Sequence, residues 1–435
     1  MSQIQLREDL TVHRERAVLV GVRTGREDAD SLDELARLCD TAGADVAATL
    51  LQNRSSPDAR NYLGSGKVKE LAELVKASAS AVVIADDDLS PRQVKSLEKA
   101  TGVKVVDRSE LILDIFSTHA RTRQAKLQVE MAQLQYAMTR LRRLWTHLER
   151  QEGVSGGGYA TRGVGEKQIE IDRRLMGRRL SELEGKLEEV TRQAREGRLA
   201  RRGLYKAALV GYTNAGKSSL MRALTGDKVL VQDQLFSTLD TLTRRLAAPW
   251  PPVLLSDTVG FIRKLPRHLL SSFRSTLSEV LEADILLVVV DASEPAWADR
   301  LNVVHRVLED IGAAHVPRLT IFNKIDAMDE ASLGALPLGE RAMQVSAHTG
   351  SGVAALSQRL HELGRREACP VWVEAEAAQG ALVSELLKQD AEKTAVWKGD
   401  KLHVKLILPE AVVRKYEQLG TLRVERIHGS QTTPT

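Results

Sequence analysis

Short apolar runs alternate with amphipathic stretches through the first third of the chain. AVLVGV (17–22) predicts a buried strand, and DVAATLLQ (45–52), AVVIADDD (81–88) and VKVVD (103–107) predict three more strands. Between them SLDELARLCDTAG (31–43), GKVKELAELVKAS (66–78) and PRQVKSLEKATG (91–102) predict helices, the last with Pro91 in its first turn. Strand and helix in strict alternation imply right-handed βαβ units and a parallel sheet. The aspartates 86–88 precede Leu89, Ser90 and Pro91, so they predict a turn and a helix start rather than a metal site.

The period then changes. Leu127, Met131, Leu134, Met138, Leu141, Trp145 and Leu148 recur every three or four residues, and Met176, Leu180, Leu183, Leu187 and Val190 form a second such row. Between the rows lies QEGVSGGGYATRGVGEK (151–167), too rich in glycine to form a core. Two apolar seams joined this way predict an antiparallel helical hairpin with the loop at its tip. REGRLARRG (195–203) reads as a basic linker. A second βα alternation follows in KAALVGY (206–212), PPVLLSDT (251–258), DILLVVVDA (284–292), RLTIFNK (318–324) and AMQVSA (342–347). After CPVWVE (369–374), the pieces ALVSELLKQ, KLHVKLIL, AVVRKYEQL and TLRVERI predict a small α+β appendage. The expected organisation is α/β: a parallel βα domain (1–118), a basic hairpin with linker (119–203), a second α/β domain (204–368) and a small α+β domain (369–435).

Composition adds limits. A chain of 435 residues exceeds one core, and 43% hydrophobic with 28% charged residues is ordinary for a globular protein. No apolar run approaches a membrane span, and MSQIQLREDL has no apolar signal core, so a cytoplasmic location is expected. Cys39 and Cys369 stand alone, which suits a reducing compartment and argues against structural zinc. The net charge is only +4, but residues 119–202 hold 19 Lys and Arg against 11 Asp and Glu. That excess reads either as a solvated helical face or as a surface that meets phosphates. Trp145 and Trp250 are read as packing residues.

The chemistry lies in the second alternation. GYTNAGKS (211–218) fits GxxxxGK[ST] between a strand and a helix. Gly211, Tyr212, Thr213, Asn214, Ala215 and Gly216 would curl their amides around phosphates. Lys217 would reach the β/γ-phosphates, and Ser218 would ligate Mg²⁺, with Ser219 beside it. In DTVG, Asp257 would hold Mg²⁺ and Gly260 would meet the γ-phosphate, with Thr258 and Val259 between them. NKID places Asn323, Lys324, Ile325 and Asp326 at another strand end. A carboxylate at Asp326 can accept both donors on the Watson–Crick edge of guanine, whereas adenine presents an acceptor there; this selects GTP over ATP. Ser346, Ala347 and His348 would supply main chain to the guanine carbonyl. The first switch lies between Gly226 and Pro249. Spacing alone does not separate Ser237, Thr238 and Thr241 as its sensing hydroxyl.

These motifs lead to a family. NYLGSGKVKEL (61–71), LSPRQVKSLE (89–98), VVDRSELILDIF (105–116), KLQVEMAQLQY (126–136) and TRGVGEKQIEIDRR (161–174), together with the nucleotide motifs, resemble HflX-type GTPases over nearly the whole chain. FSTL resembles the switch of the Obg/HflX-like group, which implies that Phe236, Ser237, Thr238, Leu239 and Asp240 form it and that Thr238 completes the Mg²⁺ shell. The resemblance further implies a P-loop GTPase domain and GTP-dependent binding to the large ribosomal subunit. It implies the splitting of stalled or idle ribosomes under stress, and a hairpin that contacts ribosomal RNA. DNA is not an implied partner, a monomer is expected, and the role of the last 65 residues stays open. The glycine-rich tip is open between a flexible connector, an RNA-contacting tip and a second phosphate site.

Phe261 stands where Ras-type GTPases carry a water-orienting glutamine. Turnover is therefore expected to be slow until a partner, most simply the large subunit, completes the site; the family resembled is also apolar here. Asn214 is open between holding K⁺ against the phosphates and bracing the loop, and Arg244 and Arg245 read as a solvated strand edge rather than a catalytic pair. Two other functions compete: an NTP-dependent RNA-remodelling or RNA-modifying protein, and a membrane-linked signalling GTPase. The N-terminal sheet shows no nucleophile or GxGxxG loop, and the chain shows no transmembrane or lipidation signal.

Overall fold

The computed structural model describes residues 14–25, 31–152, 162–199, 204–226, 235–236, 242–246, 253–264, 266, 269, 274–366, 368–376, 394–409, 413 and 423–426. It divides into two compact units, Met1–Lys186 with Lys264–Ser272, and Leu187–Arg263 with Phe273–Thr435.

The first unit begins with a four-stranded parallel sheet. The strands β1 (Glu15–Arg23), β2 (Ala44–Asn53), β3 (Val82–Ala85) and β4 (Lys104–Val106) lie in the order β2-β1-β3-β4. The fully buried Val18, Leu19 and Val20 make β1 a central strand. Helices α1 (Ser31–Ala42), α2 (Ser65–Ala77), α3 (Pro91–Thr101) and α4 (Arg108–His119) are the crossovers. Helix α3 starts where Ser90 and Gln93 form a capping box and stops at Gly102, which takes a left-handed φ of 75°. Asp107 caps α4 by accepting the Glu110 amide at 3.0 Å. Charge is buried beside the carboxyl ends of β1 and β3: Arg108, 1% exposed, donates to Asp86 Oδ1 at 2.7 Å and to Glu34, while Ser31 donates to Asp86.

Helices α5 (Arg123–Glu152) and α6 (Arg162–Leu199) form the expected pair, tied by Arg179 to Glu130 at 2.7 Å. Two expectations change here. Residues 162–167 belong to α6 and not to the loop, and α6 also takes in residues 195–199 of the expected linker. Extending an existing helix avoids the cost of nucleation, which outweighs roughly 1 kcal/mol for each helical glycine. In α5 the buried face is Ala125, Gln128, Val129 and Ala132, with Met131 beside it, while Leu127, Leu134 and Met138 are only half-buried. The second row agrees better, since Leu183 is buried and Met176, Leu180, Leu187 and Val190 are half-buried at the expected spacing. The side chains of Trp145 and Trp250 lie outside the described residues.

The second unit holds a six-stranded sheet in the order β10-β9-β8-β5-β7-β6. It comprises β5 (Tyr205–Gly211), β6 (Leu242–Arg245), β7 (Val253–Asp257), β8 (Ile285–Asp291), β9 (Arg318–Asn323) and β10 (Ala342–Gln344). All pairs are parallel except β6 with β7. Every residue of β8 is buried, as a strand covered on both faces requires. The helices are α7 (Lys217–Thr225), α8 (Arg274–Leu281), α9 (Trp297–Asp310), α10 (Glu330–Gly334) and α11 (Val353–Arg366). A further antiparallel sheet, in the order β12-β13-β11-β14, joins β11 (Ala368–Glu376), β12 (Thr394–Lys398), β13 (Lys401–Pro409) and β14 (Arg423–Arg426). The predicted helices at 381–389 and 411–419 lie outside the described residues, apart from Val413.

Breaking the buried pairs of Arg108 leaves Asp86 and Glu34 without their guanidinium. Arg108→Ala is expected to lower stability by about 3–5 kcal/mol, read as a lower urea midpoint for the first unit.

Candidate functional site

The sheet of the second unit ends in four loops that converge. After β5 the chain turns at Gly211, where a β-carbon would lie 2.2 Å from the Val289 carbonyl oxygen of β8. It enters α7 at Gly216, whose φ of 86° and 2.2 Å clearance to Asn323 Nδ2 exclude any side chain. Within the loop between them, the Thr213 amide donates to the Phe261 carbonyl at 2.8 Å and the Ala215 amide to the Tyr212 carbonyl at 3.3 Å; beyond it, the first turn of α7 has helix donors without intrahelical partners. Ala215 is buried and Asn214 is exposed at a φ of 61°. Asn214 makes no side-chain hydrogen bond among the described residues.

Lys217 is buried and donates to the Tyr212 carbonyl at 2.9 Å and the Gly211 carbonyl at 3.3 Å. Burial pushes its ammonium down to about 8, with the Asp257 charge opposing. Ser218 donates to Asp257 Oδ2 at 2.6 Å, and Asp257 is fully buried at the end of β7. Ser219 is half-buried in the first turn of α7. A hydroxyl and a carboxylate this close, at a phosphate loop, are the hard oxygen donors Mg²⁺ takes, so Ser218 and Asp257 fit that ion. It would neutralise charge on bridging phosphate oxygens.

The DTVG segment lies on the phosphate loop. Thr258 donates to the Leu209 carbonyl at 2.7 Å, and Val259 is half-buried. A β-carbon on Gly260 would lie 2.9 Å from Thr213 Cα and 3.0 Å from Lys217 Nζ. Phe261 is paired through its main chain: its amide donates to Gly211 at 3.0 Å, and its carbonyl accepts from Thr213 at 2.8 Å. Its side chain is 1% exposed and lies in packing, away from water. The Arg263 amide adds a third stitch, donating to the Tyr212 hydroxyl at 2.9 Å.

At the next strand end, Asn323 is 1% exposed and braces two loops. Its Nδ2 donates to the Ala215 carbonyl at 2.9 Å, and its Oδ1 accepts the Ala347 amide at 3.0 Å. Lys324 takes a φ of 63° and pairs with Asp291 Oδ2 at 2.7 Å. Ile325 begins the short 3₁₀ turn Ile325–Ala327. The Asp326 carboxyl accepts from Ser346 Oγ at 2.5 Å, and that bond holds it below its ordinary range. His348 is exposed, 3.6 Å from Asp326. Phosphate-side and base-side loops are thus fixed to each other by one amide side chain.

Of the predicted switch residues, Phe236 is 3% exposed at a φ of 58°, whereas Ser237, Thr238, Leu239 and Asp240 lie outside the described residues. Arg244 and Arg245 occupy the exposed edge strand β6, as read from the sequence. Sequence reasoning missed Asp291, which anchors Lys324, and Arg300, whose guanidinium lies 5.3 Å from the Tyr212 ring centroid. Asp291 carried a usable signal, since it ends the apolar strand β8 as Asp257 ends β7.

A strand–loop–helix phosphate cradle, with base-reading loops at the ends of successive parallel strands, defines a P-loop GTPase. Residues 29–117 match the description GTP-binding GTPase N-terminal, 119–202 match GTP-binding GTPase Middle Region, and 206–324 match 50S ribosome-binding GTPase. The GTPase HflX of Caldanaerobacter subterraneus is 43% identical over 81% of this chain and 81% of its own. That of Gluconacetobacter diazotrophicus is 42% identical over 86% and 88%, and that of Escherichia coli is 42% identical over 80% and 82%. The chain belongs to the HflX family of GTPases.

A phosphate beside Lys217 restores the ammonium that burial disfavours. Nucleotide affinity is therefore expected to hold below pH 8 and to fall as pH rises through about 8 toward the ordinary lysine value of 10.5. Proton uptake on binding at pH 9, seen as a buffer-dependent calorimetric heat, checks it.

Proposed function

We propose that this chain is a GTP-controlled switch that binds the large ribosomal subunit, contacts ribosomal RNA through the α5–α6 hairpin, and splits stalled or idle ribosomes under stress. The observation that carries this is the site itself: guanine- and phosphate-side loops held together, with a buried phenyl ring at position 261, where Ras-type GTPases carry a glutamine. Such a site binds well and turns over slowly alone, which suits a timer completed by its target. The basic excess of residues 119–202 supports the RNA contact, since lysine and arginine give salt-sensitive, sequence-independent affinity for phosphates. Among relatives by description, the match named 50S ribosome-binding GTPase points to the same partner.

In this reading Lys217 and Gly260 meet the γ-phosphate, and Thr238 joins Ser218 and Asp257 on Mg²⁺. Asp326 reads guanine, and the main chain of Ser346, Ala347 and His348 meets the guanine carbonyl. Asn214, whose amide side chain is not engaged among the described residues, holds K⁺ against the phosphates. The protein acts as a monomer in the cytoplasm.

Co-sedimentation with separated subunits tests the switch: binding to the large subunit with a non-hydrolysable GTP analogue and not with GDP is expected, weakening steeply between 50 and 200 mM salt by about a hundredfold or more. Indifference to the nucleotide would sink it. Adding large subunits is expected to raise GTP turnover by orders of magnitude, and KCl to support faster turnover than NaCl. Asp326→Asn replaces an acceptor by an amide and is expected to weaken GTP binding by about tenfold or more while admitting xanthine nucleotides, measured by competition binding.

A further inference from the structure

The end of β8 carries an aspartate that none of the sequence motifs includes. Asp291 is 8% exposed and lies opposite Asn323 in the register of β8 with β9, where the Ala292 amide donates to the Asn323 carbonyl at 2.9 Å. Its two oxygens do different things. Oδ1 accepts the Ser293 hydroxyl at 2.6 Å and the Ser293 amide at 3.2 Å. Oδ2 takes the Lys324 ammonium at 2.7 Å. The bonds from Ser293 close a short turn that fixes the carboxylate, so the lysine meets an acceptor already set in place.

Lys324 stands between two residues that a base would need. Asn323 before it braces the Ala215 and Ala347 loops, and Asp326 after it is the carboxylate suited to the Watson–Crick edge of guanine. The φ of Lys324 is 63°, which non-glycine residues rarely adopt, so its backbone is held there by its surroundings. From that point the side chain turns back to the neighbouring strand, and its four-carbon stem spans the ends of β9 and β8. A second carboxylate lies within electrostatic reach of the ammonium. Asp326 is held low first by the Ser346 hydroxyl, and the charges of His348 and then Lys324 add to that.

The lysine thus has two carboxylates to choose from. Paired with Asp326, it would occupy an acceptor that the guanine donors need; paired with Asp291, it leaves that acceptor to the base. Paired with neither, it would be a long mobile side chain, and ordering such a chain on binding costs affinity.

We propose that Asp291 is a positioning residue for guanine binding: it holds Lys324 across the ends of β8 and β9 and keeps the ammonium off Asp326. This rests on the reading of Asp326 as the guanine acceptor. Asn323 then fixes the loops on either side of the base, and Asp291 fixes the lysine between them. The pair acts on the base, so its contribution is the same for GDP and GTP.

The test uses the full chain. Affinities for GDP and a non-hydrolysable GTP analogue, and the release rate of a fluorescent GDP, are measured in wild type, Asp291→Asn, Ser293→Ala, Lys324→Met and the Asp291→Asn/Lys324→Met double variant. Asp291→Asn keeps the shape and removes the charge. It is expected to weaken both nucleotides by about fivefold or more, with faster release of GDP. Ser293→Ala, at an exposed position, loosens the same carboxylate and is expected to weaken both by about twofold. In the Lys324→Met background, Asp291→Asn is expected to change affinity by less than about twofold, because the residue it acts through is gone. Unchanged affinity in Asp291→Asn overturns the proposal, as does an equal loss with and without Lys324, or a loss confined to one nucleotide. Should Asp291→Asn not fold, unchanged affinity in Ser293→Ala overturns it instead. Wild-type chain that binds no guanine nucleotide would overturn the reading of Asp326, and the role of Asp291 with it.

Discussion

Where β5 ends, main chain meets main chain with no room for a side chain. Gly211 abuts the Val289 carbonyl, Gly216 abuts Asn323, and Gly260 abuts Thr213. These three contacts fix how the amides of the phosphate loop can point, because none of the three positions accepts a β-carbon without moving backbone or a buried amide. The rest of the site is arranged around that crowding. Asn323 is set between the phosphate-side and base-side loops, and the polar ends of β5, β7, β8 and β9 gather at one edge of a sheet whose strands are otherwise apolar.

Both units apply the same physics. A parallel sheet buried on both faces has little room for polarity except at its strand ends, so charge collects there. In the second unit the collected groups suit phosphates, a hard cation and guanine. In the first unit the corresponding end holds carboxylates, and their counterions are protein side chains, Arg108 and Lys264. Buried charge of this kind fixes geometry more than it adds stability, because removing either partner leaves the other uncompensated.

The strands and crossovers of both parallel sheets were legible because burial on two faces writes itself as continuous apolar runs, as in VVIA and ILLVVVD. The phosphate and base loops were legible because they need glycine, lysine and asparagine at fixed spacings. Other features carried no local signal. TAVWK is an edge strand that no apolar run marks, and its Val396 and Trp397 are about half exposed. The start of α6 at Arg162 was hidden by glycines that argue locally for a loop. The three aspartates read as a turn because the lysine that two of them hold is 177 and 178 positions away, a distance at which no periodicity speaks.

The buried ring at Phe261 also limits how this site could be re-engineered. A glutamine grafted there would not stand beside a nucleotide; it would replace a ring that is 1% exposed between a bridge to Gly211 and Thr213. Its amide would be buried, where each unmatched polar group costs about 1–3 kcal/mol. At position 261 a polar side chain would therefore meet burial before it met a nucleotide.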